Sequence, residues 1–380
     1  MILGSTGSIG RSAVSVAENL PNQIKIVALA AHSQWQRLAD QALRFRPAAV
    51  AIVDERAAGA LRDRLSLDDY RPAVLSGPDA LDRLVREFSA DFLLAAVVGA
   101  AGLPSTLRSV ERGMTIGLAN KETLVVAGSL VAPLAQRHNA TLIPVDSEHS
   151  AIFQAMHAGK HAEVDKVVLT ASGGPFRTWS ADQIRNATLE DALKHPTWQM
   201  GPKITIDSAT MMNKALEIIE AKWLFNIAPE RIEVVIHPES IIHSMVQFHD
   251  GSMLAQMGAP DMRTPIQYAM TYPDRLVGCA ERLDLRTMQR MHFEPPDMER
   301  FPALRLGYEV ARRGGTAGAA LNAANEAAVD AFRNAKLPFH EIVPCVEDVL
   351  TRHRFLDNPT LEQLMGVDEW ARAAVADRYR

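Results

Sequence analysis

Short, mostly apolar runs alternate with longer stretches in which apolar side chains recur every three or four positions over residues 1–145. The runs lie at 1–3, 24–30, 48–53, 92–98, 115–119 and 141–145. They are apolar on both faces, as strands of a buried parallel sheet are, and the stretches between them read as helices. Alternating strands and helices predict an α/β fold, with a Rossmann-like doubly wound domain over 1–145. A central α/β (α+β) domain is expected over 146–273. It contains a strand running into Ser172, a mobile lid near 178–202, and antiparallel strands at 234–246 and 251–257 around Asp250-Gly251. Prolines at 273, 295, 296 and 302 mark a connector, 274–299. The rest, 300–380, reads as a C-terminal α-helical bundle with helices at 303–313, 317–334, 339–353 and 360–380, in which Leu321, Ala324, Ala328 and Phe332 form one stripe.

Length and composition narrow this picture. At 380 residues the chain is too long for one core, and with 47% hydrophobic and 22% charged residues it is an ordinary globular protein. The net charge of -5 comes from interspersed acids and bases, so no nucleic-acid surface is expected. Cys279 and Cys345 cannot build a disulfide framework, which suits a reducing compartment. With no membrane-length apolar run and Met1 leading straight into a strand, neither a span nor a signal peptide is expected, and the cytoplasm (bacterial cytosol) is the expected location.

Two regions carry candidate cofactor chemistry. Gly4-Ser5-Thr6-Gly7-Ser8-Ile9-Gly10 lies between a strand and a helix, where free backbone N–H groups and the helix dipole favour a phosphate. A plain tight turn is the alternative, but the following strand favours dinucleotide binding. That second strand ends in Ala31-His32-Ser33-Gln34, without the acid that would hold a ribose 2′-hydroxyl. NADP is therefore expected over NAD, with His32, Ser33 and Arg37 near the 2′-phosphate. Asn120, Lys121 and Glu122 follow a later strand end, where open α/β sheets bind ligands.

The densest candidate chemistry lies further on. In Val145-Asp146-Ser147-Glu148-His149-Ser150, two carboxylates one residue apart at a strand end would point to one side. Like charges that close are costly without a cation between them; the alternative is a turn with Asp146 or Ser147 as N-cap. Ser172-Gly173-Gly174 is a small-residue turn suited to an anion. His195-Pro196-Thr197-Trp198-Gln199-Met200-Gly201 reads as a lid whose indole covers a substrate. Residues 207–220, read as one helix, place Asn213 and Glu217 on one face with Lys214 at its margin. Asn213 and Lys214 suit a phosphate or sugar hydroxyl. Glu217 can complete a three-carboxylate site with Asp146 and Glu148, fit for Mg²⁺ or Mn²⁺ rather than zinc. The alternative for that helix is a solvated surface.

These motifs together resemble the 1-deoxy-D-xylulose 5-phosphate reductoisomerase family. The resemblance rests on the glycine loop at 4–10, Ala-Asn-Lys-Glu at 119–122, Pro-Val-Asp-Ser-Glu-His at 144–149 and Ser-Gly-Gly-Pro-Phe at 172–176. It continues through the lid motif at 195–201, Asp-Ser-Ala-Thr-Met-Met-Asn-Lys at 207–214, Ile-His-Pro at 236–238 and Leu-Asn-Ala-Ala-Asn-Glu at 321–326. It implies Asp146, Glu148 and Glu217 as ligands of Mg²⁺ or Mn²⁺, with Co²⁺ a further candidate. It implies Lys121, Ser147, Glu148, Ser172, His195, Trp198, Ser208, Asn213, Lys214 and Glu217 around a sugar phosphate, Lys121 and His195 close to the chemistry. Thr6, Gly7, Ser8, Ile9, Asn120, Glu122 and Gly201 would contact NADPH, with His32, Ser33 and Gln34 at the departure from the family's usual Gly-x-Asn. The implied reaction converts the ketose phosphate to 2-C-methyl-D-erythritol 4-phosphate in isoprenoid biosynthesis, in a homodimer. The first strand is shorter than the family suggests, and a few preceding residues are expected to be missing. Two other readings stand beside this one: another NADP-dependent dehydrogenase of hydroxy-acid or semialdehyde type, and a non-catalytic NADP-binding redox sensor.

Overall fold

The computed structural model describes residues 1–198, 200–287 and 290–379; Arg380, the expected end of the last helix, lies outside them. The chain divides into two units: Met1–Thr123, Pro133–Ser150 and Asp261–Glu281 form one, and Leu124–Ala132, Ala151–Pro260 and Arg282–Arg380 the other.

The first unit holds a seven-stranded sheet: β1 (Ile2–Leu3), β2 (Ala28–Ala31), β3 (Ala49–Ile52), β4 (Ala73–Ser76), β5 (Phe92–Ala95), β6 (Thr115–Leu118) and β7 (Thr141–Pro144). Its order is β4-β3-β2-β1-β5-β6-β7, and every pairing is parallel. The crossovers are α1 (Ser8–Asn19), α2 (Trp35–Phe45), α3 (Glu55–Ser66), α4 (Ala80–Glu87), α5 (Leu103–Glu111) and α6 (Glu122–His138); α7 (Ser147–Met156) follows β7. The strand order reverses between β1 and β5, so a crevice opens at the carboxyl ends of those two strands. Three points differ from the sequence reading. The second strand begins at Ala28 rather than at residue 24, because 24–27 run as a connecting segment after α1. The edge strand β4 has no counterpart in the sequence reading: Val74 and Leu75 alone are large and apolar, too short a run to stand out. The helix Arg263–Thr271, expected with the central segment, instead packs on α1 and beside β6 and β7. A return across that much intervening chain leaves no local signal.

The second unit is built on a four-stranded sheet of β8 (Val164–Ala171), β9 (Ile232–Ile236), β10 (Ile242–Phe248) and β11 (Met253–Met257), in the order β11-β10-β8-β9. β10 runs antiparallel to both neighbours, while β8 and β9 are parallel. Its helices are α8 (Ala181–Arg185), α9 (Leu189–Ala192), α10 (Pro202–Ala209) and α11 (Met212–Phe225). After the Arg263–Thr271 helix (α12) of the first unit come α13 (Ala303–Arg313), α14 (Ala317–Arg333), α15 (Ile342–Arg352) and α16 (Leu361–Arg378). The late helices do not stand apart from the sheet. One apolar core joins Val167 and Leu169 of β8 to Ile206, Leu216, Leu304, Leu321 and Val346. The expected single helix over 207–220 is two. Met211 takes a left-handed conformation at φ 61°, ending α10 and starting α11.

Candidate active site

In the first unit the candidate residues line the carboxyl edge of the sheet. Gly4 leaves β1 at φ 82°, and a Cβ there would stand 2.4 Å from the carbonyl oxygen of Ala96, which follows β5. Only glycine lets the loop cross the point of strand reversal this closely. The loop is pinned from below: Ser5 Oγ donates to Gln41 Oε1 at 2.7 Å, and Gln41 Nε2 donates to the Ser5 carbonyl at 2.9 Å. Gly7 is the N-cap of α1, so Thr6, Gly7, Ser8 and Ile9 lie at its amino end. His32, Ser33 and Gln34 are exposed where β2 ends. Arg37 donates to the Thr6 carbonyl at 3.1 Å and to Gln34 Oε1 at 2.9 Å, which brings a guanidinium beside the glycine loop.

Asn120 is buried between β6 and α6 and donates from Nδ2 to the carbonyls of Val97, at 2.5 Å, and Gly99, at 2.8 Å. Its amide thus ties the loop after β5 to the loop after β6. One residue on, Lys121 Nζ lies 2.5 Å from Asp146 Oδ2. Asp146 is no strand residue: β7 ends at Pro144 and α7 begins at Ser147. It stands at the N-cap position of that helix instead, its carbonyl accepting the Ser150 N–H at 2.8 Å and its Oδ1 the adjacent Ser147 N–H at 3.0 Å. Strand alternation is therefore not what pairs the two acids. Glu148 is in the first turn of α7, and helical winding brings a carboxylate oxygen of each acid within 4.8 Å of the other. Ser147 Oγ donates to Glu148 Oε2 at 2.5 Å. The capping role and the clustering of charge coexist.

In the second unit a second cluster gathers where β8 gives way to the Ser172-Gly173-Gly174 turn. Ser172 Oγ lies 3.0 Å from His195 Nε2. His195 Nδ1 accepts the backbone N–H groups of Thr197, at 3.2 Å, and Trp198, at 2.9 Å. With Nδ1 engaged as an acceptor, the neutral ring carries its proton on Nε2, aimed at Ser172. Gly174, at φ 67°, packs on the far side of the turn, where a Cβ would stand 2.5 Å from the Ser208 carbonyl oxygen. The backbone of the turn that follows Ser172 thus abuts the backbone of Ser208. On α11, Asn213 Nδ2 donates to Glu217 Oε1 at 2.5 Å, and Lys214 pairs with the other oxygen. Glu217 and Lys214 are buried, so this is not the solvated surface helix of the alternative reading. Trp198 is half-buried and tilted near His243, ring centroids 6.2 Å apart. Gly201 is the N-cap of α10.

Two side chains near these clusters, Lys203 and His149, carry no role in the sequence reading, whereas for Asn325 of the 321–326 motif a polar contact between helices is the expectation. Lys203 and Asn325 both engage Asp207, and His149 Nδ1 lies 3.9 Å from Asp146. The i,i+4 spacing of Lys203 and Asp207 and the i,i+3 spacing of Asp146 and His149 are local signals; the Asn325–Asp207 contact has none.

Models of known families match the chain along most of its length. Residues 1–128 match 1-deoxy-D-xylulose 5-phosphate reductoisomerase, residues 142–225 its C-terminal domain, and residues 257–374 the DXP reductoisomerase C-terminal domain. A 1-deoxy-D-xylulose 5-phosphate reductoisomerase of Pelotomaculum thermopropionicum is 49% identical over 372 residues, 98% of this chain and 96% of the relative. The chain belongs to the 1-deoxy-D-xylulose 5-phosphate reductoisomerase family. Another reductoisomerase, of Desulfitobacterium hafniense, is 50% identical over 98% of this chain and 96% of its own length. The Zymomonas mobilis reductoisomerase, solved in complex with NADPH, superposes with a TM-score of 0.94 at 43% identity, covering 100% of this chain and 98% of that one. A reductoisomerase solved with NADPH, fosmidomycin and magnesium gives 0.93 at 40% identity, covering 100% and 97%.

Proposed function

We propose that the chain rearranges 1-deoxy-D-xylulose 5-phosphate and reduces the product with NADPH to 2-C-methyl-D-erythritol 4-phosphate. The observation that carries this reading is the Lys121–Asp146–Glu148 cluster on the carboxyl edge of the sheet whose first strand feeds the glycine loop. Acid chemistry and dinucleotide binding then share one edge of one sheet. A relative holding NADPH, fosmidomycin and magnesium at once supports cofactor, ligand and metal acting together in this fold.

Asp146, Glu148 and Glu217 would hold the divalent ion, a donor set of carboxylate oxygens that fits Mg²⁺ or Mn²⁺ and also accepts Co²⁺. When bound, the ion polarises substrate oxygens and stabilises charge developing on them. Lys121, 2.5 Å from Asp146, orients that carboxylate and offers a hydrogen-bond donor to the substrate. Ser147 steadies Glu148 and adds a hydroxyl to the substrate pocket. Ser172, Ser208, Asn213 and Lys214 receive the phosphate, whose binding energy positions the reacting carbons. His195 donates from Nε2 at the margin of that site, and Trp198 excludes water as the 178–202 segment closes.

On the cofactor side, NADPH supplies the hydride. Thr6, Ser8 and Ile9 offer N–H groups to its phosphates, Gly7, whose own N–H is donated to the Gly4 carbonyl at 3.1 Å, lies against them, and Asn120, Glu122 and Gly201 border it. His32, Ser33, Gln34 and Arg37 would border the 2′-phosphate, with the Arg37 guanidinium supplying the positive charge. The working form is a homodimer in the bacterial cytosol, supported by family membership and by a composition with two free cysteines; no helix among the described residues is long and apolar enough to cross a membrane. The test is oxidation of NADPH by the purified chain with 1-deoxy-D-xylulose 5-phosphate, after chelation and with Mg²⁺ or Mn²⁺ restored. Turnover on restoring the ion is expected; none with either ion overturns the proposal.

A further inference from the structure

Asp207 is a carboxylate with 1% exposure, set on α10 immediately before Ser208. A buried charge of this kind persists only with a counter-charge and donors around it. Lys203, one turn earlier on the same helix, brings its ammonium to 2.8 Å. The other contact comes from α14, where Asn325 Nδ2 donates to Asp207 Oδ1 at 2.8 Å. Asn325 is itself fully buried, and its Oδ1 finds no partner among the described residues, so the amide is committed to Asp207.

The platform behind it is rigid. α14 is buried along most of its length, and at Gly318 its backbone lies against the Val125 carbonyl too closely for a Cβ. α10, by contrast, is eight residues long and ends in the left-handed break at Met211. Core packing of Ile206 and Ala209 and the hydrogen bond from Asn325 to Asp207 together set the axial position of this short helix. Its last turn carries Ser208, whose carbonyl touches Gly174, so axial movement of α10 changes the spacing of Ser208 and Ser172 directly.

We infer that Asn325 is a positioning residue for the substrate phosphate: by holding Asp207 it sets α10, and with it Ser208, against the Ser172 turn. The inference rests on the reading that Ser172 and Ser208 receive the phosphate. A neutral amide suits the role. Lys203 already balances Asp207, an aspartate at 325 would set two carboxylates in contact in the core, and a second cation would leave the pair with excess charge.

The test compares Asn325→Ala, Asn325→Gln, the exchanged pair Asp207→Asn with Asn325→Asp, and Ser208→Ala. Each is assayed for KM and kcat with 1-deoxy-D-xylulose 5-phosphate, for the inhibition constant of inorganic phosphate, for KM of NADPH, and for Tm. Loss of one charge-assisted hydrogen bond is expected to raise the substrate KM and the phosphate inhibition constant together by about tenfold in Asn325→Ala. The NADPH KM should stay within about twofold, since only binding at the phosphate turn is disturbed. The exchanged pair should recover little of the loss, because it moves the carboxylate away from Lys203. Wild-type substrate KM and phosphate inhibition in Asn325→Ala, with only Tm lowered, overturn the inference; if that variant does not fold, Asn325→Gln carries the same two outcomes. Should Ser208→Ala leave both constants unchanged, the phosphate reading fails and takes this inference with it. If Ser208→Ala raises both while the folded Asn325 variants raise neither, only the role of Asn325 falls.

Discussion

Gly4 has two reasons to be glycine, and they add. Its φ of 82° is unfavourable for any side chain, and a Cβ would stand 2.4 Å from the Ala96 carbonyl oxygen. Gly4→Ala should cost about 2–4 kcal/mol from backbone strain and overpacking, and weaken NADPH binding more than tenfold as the loop shifts. Thermal melts and a fluorescence titration with NADPH check both effects. A different logic applies to Glu217. It is buried and engages Lys214 and Asn213. Glu217→Gln keeps the shape and removes the charge that would bind the ion. Turnover should fall by about a hundredfold or more, with a raised requirement for Mg²⁺ and little change in NADPH affinity. Metal titrations of steady-state rate measure this; a variant with the wild-type Mg²⁺ dependence would remove Glu217 from the ligand set.

At the scale of elements, helix contacts explain glycines that propensity alone would argue against. Gly307 is inside α13, where a change to alanine ordinarily gains about 1 kcal/mol. Here a Cβ would meet the Ala215 backbone of α11 at 2.7 Å. The overlap cannot be relieved by rotating a side chain, so the overpacking cost of about 1–3 kcal/mol outweighs the gain in propensity. Gly307→Ala should therefore lower Tm, and because α11 carries Asn213, Lys214 and Glu217, activity should fall at temperatures well below the melt. Calorimetry alongside initial rates distinguishes this from a surface glycine, which would show a rise in Tm. The break at Met211 belongs to the same scale. By ending α10 and turning the chain, it puts Ser208 and Asn213 on separate helices.

For the whole molecule, stability depends on pH through groups far from the site. His353 is buried between α15 and α16, with Thr316 Oγ1 2.8 Å from its Nε2. Burial, and then the nearby Arg313 charge, hold its pKa below the ordinary 6.5. Above that ordinary value the ring is neutral in both the folded and the unfolded chain. As pH falls below it, the unfolded chain binds the proton first, so stability is lost progressively until the lowered folded pKa is passed. Tm should drop between pH 7.5 and 5.5, and drop less in His353→Gln, when melts are recorded across that range. An identical slope in both proteins would show that the ring contributes nothing to the acid limb.

Local chemistry made part of this molecule readable from its sequence. A strand, a glycine turn and a helix start at residues 1–17 can form a phosphate cradle in few ways, and the residue types at Asp146, Glu148, Asn213, Lys214 and Glu217 by themselves raise the proposal of ligand and anion chemistry. What is not local was decided by the fold. β1 lies between β2 and β5, α12 returns to pack on α1, and Asn325 reaches Asp207 across 118 positions, because burying apolar faces and satisfying buried charges are choices made between distant segments. The α10–α11 break shows the boundary between the two. Residues 207–220 carry an unbroken helical pattern, and only packing against their neighbours holds Met211 in the conformation that divides it.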